Sequence, residues 1–335
     1  MTTIAVDAMG GDNAPHEIVH GAVIAAKEYK IGIQLVGNEN LIKRELDKHS
    51  ALDLPIEIVP SQDVIDMDEK QPASAVRRKT DSSIVVAMNL VASGRAGGVV
   101  AAGNTGAATA AALFCLKRIE GIERPCIGCV MPSKTRPFIL ADGGANVDAT
   151  PEQLVQNGLM GAALSKALFK TDNPRVALLN IGEEPGKGNS LYKETFQLLE
   201  KVNELNFIGN VQGREVTEDA CDVCVCDGFV GNVFLKTAEG MVKMVTSMLR
   251  EELTKDSLSK MGALLAKDSF YRLKKRLDYS EFGGAQLLGV KGVCVIAHGS
   301  SKSIAIKNAI RVAKEAVEGK TVQLIESMVK THAIK

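Results

Sequence analysis

The sequence contains no tryptophan, and aromatic residues make up only 4% of its 335 residues. Its core must therefore be built from alanine, valine, isoleucine and leucine. The chain also lacks an excess of either charge, because 40 lysine and arginine residues balance 40 acidic ones. This balance argues against a nucleic-acid binder with a basic surface throughout, although it leaves room for a local basic patch.

The N-terminal residues Met1–Asp7 have neither the basic nor the apolar segment of a secretory signal, so we expect a cytoplasmic protein. Residues 96–116 are uncharged over a length that could cross a bilayer. Gly103, Asn104 and Gly106 interrupt this stretch. We therefore predict a short strand, a turn and an alanine-rich helix there, and no membrane span.

The seven cysteines include two pairs with the spacing of zinc ligands, Cys126/Cys129 and Cys221/Cys224. The two pairs are far apart in the sequence, unlike those of compact zinc sites. Cys224 also belongs to a predicted buried strand, where cysteine serves as a small apolar residue. We therefore expect no metal, no disulfide and no cofactor.

Short β-branched runs alternate with helical patterns along the chain. We predict ten strands: Ile4–Asp7, Ile33–Gly37, Ile56–Pro60, Gly98–Ala102, Cys126–Met131, Phe138–Asp142, Val176–Ile181, Phe207–Gln212, Val223–Asp227 and Gly292–His298. This alternation, with almost continuously apolar strands, predicts a three-layer α/β/α fold around a mostly parallel sheet. No low-complexity linker divides the chain, so residues 1–335 are interpreted as one α/β catalytic unit.

Six of the predicted strands lead into turns rich in glycine and polar residues. These turns are Asp7–Asp12, Gly103–Gly106, Asp142–Asn146, Gly182–Asn189, Asp227–Asn232 and His298–Ser301. In a parallel sheet they would share the carboxyl edge, toward which the following helices direct unpaired N–H groups. The pattern predicts one shared cleft for phosphate or a developing oxyanion.

Common nucleotide-binding and hydrolase motifs do not account for these turns. Gly182–Lys187 has the wrong spacing for a Walker loop, and Gly188 stands where that loop needs a hydroxyl. The N-terminal βαβ segment has no GxGxxG, and the chain contains no GxSxG. What remains is an anion site without a triphosphate clamp, a metal or a covalent nucleophile.

The same turns carry a resemblance to a known family. The strings are Asp7-Ala-Met-Gly-Gly-Asp12, Gly103-Asn-Thr-Gly-Ala107, Asp142-Gly-Gly-Ala-Asn146, Asn180-Ile-Gly-Glu-Glu184, Cys221–Asn232 and Gly283–Ser301. In this order they resemble the PlsX family of bacterial phosphate acyltransferases over essentially the whole chain. The resemblance implies transfer of a fatty acyl group from acyl carrier protein to inorganic phosphate, which forms an acyl phosphate for phospholipid synthesis.

The resemblance implies three further properties. The fold would be similar to that of the isocitrate and isopropylmalate dehydrogenases. The protein would be a homodimer, and its product would supply a membrane acyltransferase that loads glycerol 3-phosphate. Two alternatives remain open at this stage: a coenzyme A-dependent short-chain phosphate acyltransferase, and a non-catalytic regulator that binds phosphate or lipid.

Attack of phosphate on a thioester needs a bound phosphate, a stabilised oxyanion and a protonated leaving thiolate. We predict substrate binding by six residues: Asn104, Thr105, Asp142, Asn146, Ser300 and Ser301. Asn104, Thr105, Ser300 and Ser301 would bind phosphate with their backbone amides as well, whereas Asp142 and Asn146 rank lower. The turns thus supply most of the predicted phosphate ligands.

Four further residues are predicted to act in catalysis. Lys187, between two glycines, would bring a mobile positive charge to the phosphate. His298 would protonate the departing thiolate, and Asn232 would donate to the oxyanion. Asp227 either takes part in catalysis or caps the following helix.

Residues 250–276 form a basic segment, with eight lysine and arginine residues against four acids. An apolar cluster at helical spacing, residues 258–265, lies within it. For the surrounding residues 233–285, three interpretations stay open: a dimer helix, a docking site for an acidic carrier protein and a reversible membrane contact. Arg77–Lys79 is a further candidate contact for the carrier protein.

Overall fold

The computed structural model describes residues 1–49, 51, 53–277 and 282–333. Within them, eleven strands form one sheet: β1 (Thr3–Asp7), β2 (Gly32–Gly37), β3 (Ile56–Pro60), β4 (Gly98–Ala101), β5 (Cys126–Met131), β6 (Phe138–Ala141), β7 (Arg175–Asn180), β8 (Asn206–Gln212), β9 (Val223–Val225), β10 (Ala285–Leu288) and β11 (Val293–Ile296). All ten predicted strands are confirmed, with boundaries that differ by a residue or two. The sequence analysis missed β10.

Helices connect most of the strands. They are α1 (His16–Tyr29), α2 (Glu39–Asp47), α3 (Pro72–Arg78), α4 (Ser83–Ala92), α5 (Thr105–Ala111), α6 (Pro151–Phe169), α7 (Ser190–Leu199), α8 (Gly213–Val216), α9 (Gly228–Leu253), α10 (Ser257–Leu265), α11 (Lys267–Leu277), α12 (Ser303–Glu318) and α13 (Thr321–Ala333). A π-helical turn, Ala112–Leu116, extends α5. The uncharged residues 96–116 thus divide into β4, a turn and α5, as predicted.

The sheet contains two parallel blocks that run in opposite directions. The strand order is β3-β2-β1-β4-β11-β10-β5-β6-β9-β7-β8. The first block, β3-β2-β1-β4-β11, is parallel throughout, and so is the second block, β6-β9-β7-β8. Between them the pairs β11–β10, β10–β5 and β5–β6 are antiparallel. Three reversals leave the second block antiparallel to the first.

Helices cover both faces of the sheet, because side chains that alternate along the strands fill a core on each side. In the first block, Ile4 and Val6 pack toward α1 and α12, whereas Ala5 packs toward α4 and α5. In the second block, α6, α7 and α13 cover one face. On the other face α9 contributes Phe234 and Leu235 to the core. The predicted three-layer architecture with a mostly parallel sheet is confirmed.

Beyond its first turns, α9 loses contact with the core. Only Gly228 and Gly231 are buried among its residues, and α10 has no buried residue. No helix in the described ranges is long and apolar enough to cross a membrane. The segment from α9 to α11 is therefore the main exposed part of the fold.

Candidate functional site

The six glycine-rich turns do not meet at one edge of the sheet. Those after β1, β4 and β11 lie at one edge, which we call the first edge. Those after β6, β7 and β9 lie at the opposite edge, here the second edge, because the second block runs the other way. The predicted single shared edge is therefore wrong. The two antiparallel pairs of β10 cancel and leave β5 parallel to the first block, so the reversal arises at the hairpin between β5 and β6.

The three turns at the first edge contact one another closely. The Asp7 carboxylate accepts hydrogen bonds from the N–H groups of Met9 and Gly10, at 3.2 and 3.1 Å. A Cβ on Gly10 would lie 2.9 Å from the Gly103 nitrogen, so only glycine allows this approach. Asp12 N–H donates to the Gly299 carbonyl at 2.9 Å. The turns after β1, β4 and β11 thus form one continuous surface.

Asn104 serves mainly to build the first edge. Its Oδ1 accepts from Ala107 N–H at 2.9 Å and caps α5, while its Nδ2 donates to the Met67 carbonyl at 2.9 Å. Thr105 follows at the first helical position and is exposed. The N–H groups of Thr105 and Gly106 belong to the first turn of α5 and have no partner inside that helix. The first edge therefore presents backbone donors beside an exposed hydroxyl.

His298 is exposed and its ring is oriented by the turn that follows β11. Its Nδ1 accepts from Ser300 N–H at 3.2 Å and lies 2.8 Å from Ser300 Oγ. A backbone N–H can only donate a hydrogen bond, so Nδ1 is the unprotonated acceptor and the ring proton is assigned to Nε2. That N–H is left to act as a donor toward a ligand.

The backbone amides of Ser300 and Ser301 are engaged within the turn. Ser300 N–H donates to the His298 ring, and Ser301 N–H donates to the His298 carbonyl at 2.9 Å. At the start of α12, Ser303 N–H donates to Glu17 Oε2 at 2.6 Å. Both amides are therefore already paired within the turn, and their binding of phosphate stays a prediction that these contacts do not support. The Ser300 hydroxyl is likewise held, 2.8 Å from His298 Nδ1, which leaves the Ser301 hydroxyl as the candidate of this turn.

At the second edge, Asp142 holds its own turn together. Its buried carboxylate accepts from the N–H groups of Ile127, Gly144, Ala145 and Asn146 and from Asn146 Nδ2, at 2.8–3.1 Å. A carboxylate has about four lone-pair sites, so no acceptor is left for a ligand. Asn146 Nδ2 also donates to the Pro125 carbonyl. These contacts are those of a structural turn.

Asp227 and Asn232 lie beside that turn, at the start of α9. Asp227 caps the helix by accepting from Val230 N–H at 2.9 Å, and Tyr192 donates to its second oxygen at 2.7 Å. Burial, followed by the hydrogen bond to Asp227, raises the pKa of Tyr192 well above its usual range. Asn232 is exposed, with Nδ2 3.5 Å from the Gly143 carbonyl. The capping interpretation of Asp227 is thus the one that the contacts support.

Lys187 is exposed in the loop between β7 and α7, also at the second edge. Its Nζ lies 3.9 Å from Glu184 Oε1, and its carbonyl accepts from Asn180 Nδ2 at 3.2 Å. The structure therefore brings Lys187 near the turns of Asp142 and Asp227 but sets it at the edge opposite His298. The ten predicted site residues divide into two groups of five.

Two residues at the first edge were missed by the sequence analysis as candidates. Asp7 lines a small cavity with Ser83 and Asn104, and burial raises the pKa of its carboxyl group. An aspartate at the end of an apolar strand was the available signal. Met67 reaches over the turn after β11, since a Cβ on Gly299 would lie 2.4 Å from its methyl carbon. Nothing in the sequence around Met67 marks this role.

Comparison with known proteins identifies the family to which these turns belong. A family profile described as "Fatty acid synthesis protein" matches residues 2–324. The chain belongs to this family. Family members with similar sequences include the phosphate acyltransferases of Trichodesmium erythraeum (48% identity, covering 97% of this chain and 96% of the relative) and Dictyoglomus turgidum (50%, 94% and 94%). The resemblance stated from the turn motifs is confirmed.

Solved structures support the fold. A phosphotransacetylase from Streptococcus pyogenes has a TM-score of 0.61 at 17% identity and covers 95% of this chain and 94% of its own. A putative 4-hydroxythreonine-4-phosphate dehydrogenase from Salmonella typhimurium has a TM-score of 0.54 at 12% identity, over 94% and 99%. At these identities the likeness establishes architecture alone, and it agrees with the expected dehydrogenase-like fold.

Proposed function

We propose that this acyltransferase moves a fatty acyl group from acyl carrier protein to inorganic phosphate, and that the transfer takes place at the first edge. The relatives named phosphate acyltransferase, 45–50% identical over nearly the whole chain, support phosphate as the acceptor. The observation that carries the location is the contact of three glycine turns beside His298, whose Nε2–H is free to donate. At the second edge the carboxylates of Asp142 and Asp227 are already occupied.

The chemistry requires little more than positioning and charge stabilisation. A phosphate oxygen attacks the thioester carbonyl carbon, the carbon–sulfur bond breaks, and the leaving thiolate takes one proton. That proton is the one that the attacking hydrogen phosphate gives up as it becomes an acyl phosphate, so the step balances. His298 Nε2–H donates a hydrogen bond to the departing sulfur and stabilises its negative charge. Backbone donors of Thr105 and Gly106 and the hydroxyl of Thr105 hold the phosphate.

Variants at the two edges test this location. In phosphate-dependent thiol release, His298→Ala is expected to lower kcat about a hundredfold, in the range measured when one donor to a developing negative charge is removed. Lys187→Ala and Asn232→Ala, at the second edge, are expected to stay within about threefold of wild type. The opposite pattern in folded variants, checked by circular dichroism, overturns the location and restores the catalytic roles predicted for Lys187 and Asn232.

The acyl donor needs its own experiment. Purified protein is incubated with labelled phosphate and with either acyl carrier protein or coenzyme A as the carrier of the same acyl chain. Acyl phosphate formed from the carrier-protein thioester at the higher kcat/KM supports the proposal. Preference for the coenzyme A thioester supports the short-chain alternative, and phosphate binding without turnover supports a regulator.

The exposed apolar side of α9 suits a homodimer. Met241, Met244, Val245 and Met248 recur at helical spacing and are each about half exposed. A dimer contact would explain why α9, which begins in the core, extends so far beyond the core. Sedimentation velocity of wild type against Met244→Glu tests it, with a shift to monomer expected.

The α10 part of the exposed segment α9–α11 has the charge and apolar surface to contact an acidic carrier protein or an anionic membrane. Leu258, Leu264 and Leu265 are 70–85% exposed within the basic segment. Of residues 233–285, the structure describes 233–277 and 282–285. Flotation with anionic vesicles, lost in Leu264→Glu, would support membrane contact near a membrane acyltransferase. The cytoplasm remains the expected compartment, in line with seven free cysteines.

A further inference from the structure

Three of the five histidines of the chain lie together between α1 and the end of α2, far from the first-edge histidine in sequence. His16 and His20 are one helical turn apart on α1, and His49 follows α2. The rings of His20 and His49 stack, with centroids 4.3 Å apart and planes within 5°. Glu45, near the end of α2, places its Oε2 2.9 Å from His16 Nδ1.

These side chains can offer a set of metal-binding atoms. His16, Glu45 and His49 each contribute one, and the three atoms lie within 4.8 Å of one another. Two imidazoles and one carboxylate form a donor set that zinc accepts, with further positions for water. In a tetrahedral site, metal–ligand bonds of about 2.1 Å place the ligand atoms about 3.4 Å apart. The three atoms, now within 4.8 Å of one another, would therefore have to move slightly closer together. The His16 side chain is 54% exposed and can make this movement by rotating.

An independent observation points to a ligand at this place. His49 Nε2 is buried and has no hydrogen-bond partner among the described residues. Such an unpaired buried polar atom is unfavourable, and most native proteins avoid it. The hydrogen bond between His16 Nδ1 and Glu45 Oε2 gives those two side chains a partner, but it does not give one to His49. A bound cation would give the unpaired nitrogen a partner.

Two lysines near these side chains disfavour a bound cation, because each carries a positive charge. Lys48 Nζ lies 2.7 Å from Glu45 Oε1, and Lys27 Nζ donates to the His49 carbonyl at 3.1 Å. The other carboxylate oxygen of Glu45, Oε2, nevertheless faces His16 Nδ1. The lysines should therefore weaken the site without removing a ligand. Removing the charge of Lys48 should strengthen binding.

We propose that His16, Glu45 and His49 form a binding site for a divalent transition-metal ion of the zinc class. His20 positions the His49 ring by stacking on it. The ion would join α1 to α2, directly after the turn Asp7–Asp12 of the first edge. The site lies outside the acyl-transfer machinery, so its test does not depend on the proposed function.

Metal binding itself is the measurement. Zn²⁺ alone is titrated by calorimetry into protein that has been stripped with a chelator, and one ion per chain is expected. His49→Ala and Glu45→Gln should each raise Kd at least tenfold, whereas Lys48→Ala should lower it severalfold. Zn²⁺ should also raise the melting temperature of wild type but not of His49→Ala.

His332 provides a matched control, because it is a histidine near another glutamate, 3.9 Å from Glu204 Oε2. His332→Ala should bind Zn²⁺ as wild type does. The proposal is overturned if wild type binds no more tightly than Glu45→Gln, or if His332→Ala loses as much affinity. Circular dichroism in chelator identifies a variant that has lost its fold, and Glu45→Gln, at a partly exposed position, then carries the test.

Discussion

Replacing Asp142 with asparagine tests whether this residue is a structural anchor or a substrate ligand. Each oxygen of the buried carboxylate accepts from three donors. In Asp142→Asn one oxygen becomes an NH2 group that faces N–H groups of the turn and accepts from none. Hydrogen bonds to a charged group contribute about 1.5–3 kcal/mol each, and neighbouring losses do not add fully. We expect a loss of about 3–5 kcal/mol in the free energy of unfolding.

Urea unfolding of the wild type and the variant, followed by circular dichroism, measures this loss. Asp148→Asn is the matched control, because Asp148 is exposed in the same loop, and it should change stability by less than about 0.5 kcal/mol. A loss below about 1 kcal/mol in Asp142→Asn would refute the anchoring role. If acyl transfer nevertheless disappeared at full stability, Asp142 would instead contact substrate.

Two further predictions concern stability. A Cβ at Gly231 would lie 1.9 Å from the Asp142 carbonyl oxygen, so Gly231→Ala should destabilise the protein by about 1–3 kcal/mol or more. Gly186 has open space around it, so Gly186→Ala should leave stability unchanged. Thermal melts measure both variants, and equal melting temperatures would contradict this reasoning. Burial raises the pKa of Asp222, but hydrogen bonds from Arg175 outweigh it and leave that pKa below 3.8. Its contribution to stability is therefore complete above about pH 3.8 and is lost as the pH falls through the lower folded value. Asp222→Asn should be less stable than wild type at pH 7, with a difference that narrows in acid; a constant difference down to pH 2 would disprove the linkage.

The site could be predicted from the sequence only in part. Strand, turn and helix follow from local patterns, so the turns at Asp7, Gly103 and His298 were identified correctly. The role of each polar side chain within a turn was not, because it depends on which donors come near it. Asp142 shows this: its partners include Ile127 on the neighbouring strand β5, which the turn sequence does not reveal.

The sequence by itself determined the strands, the glycine turns that end them, and the family whose motifs those turns carry. These features depend on residues close together in the chain, whose period and turn chemistry are local. Only the tertiary structure decided which turns share an edge. Pairing of β10 with both β11 and β5 leaves β5 parallel to the first block, and the antiparallel pair β5–β6 then reverses the second block. The cluster of His16, Glu45 and His49 likewise arises only when α1 packs against α2. Contacts between distant segments are set by packing of the whole core, and no local pattern encodes them.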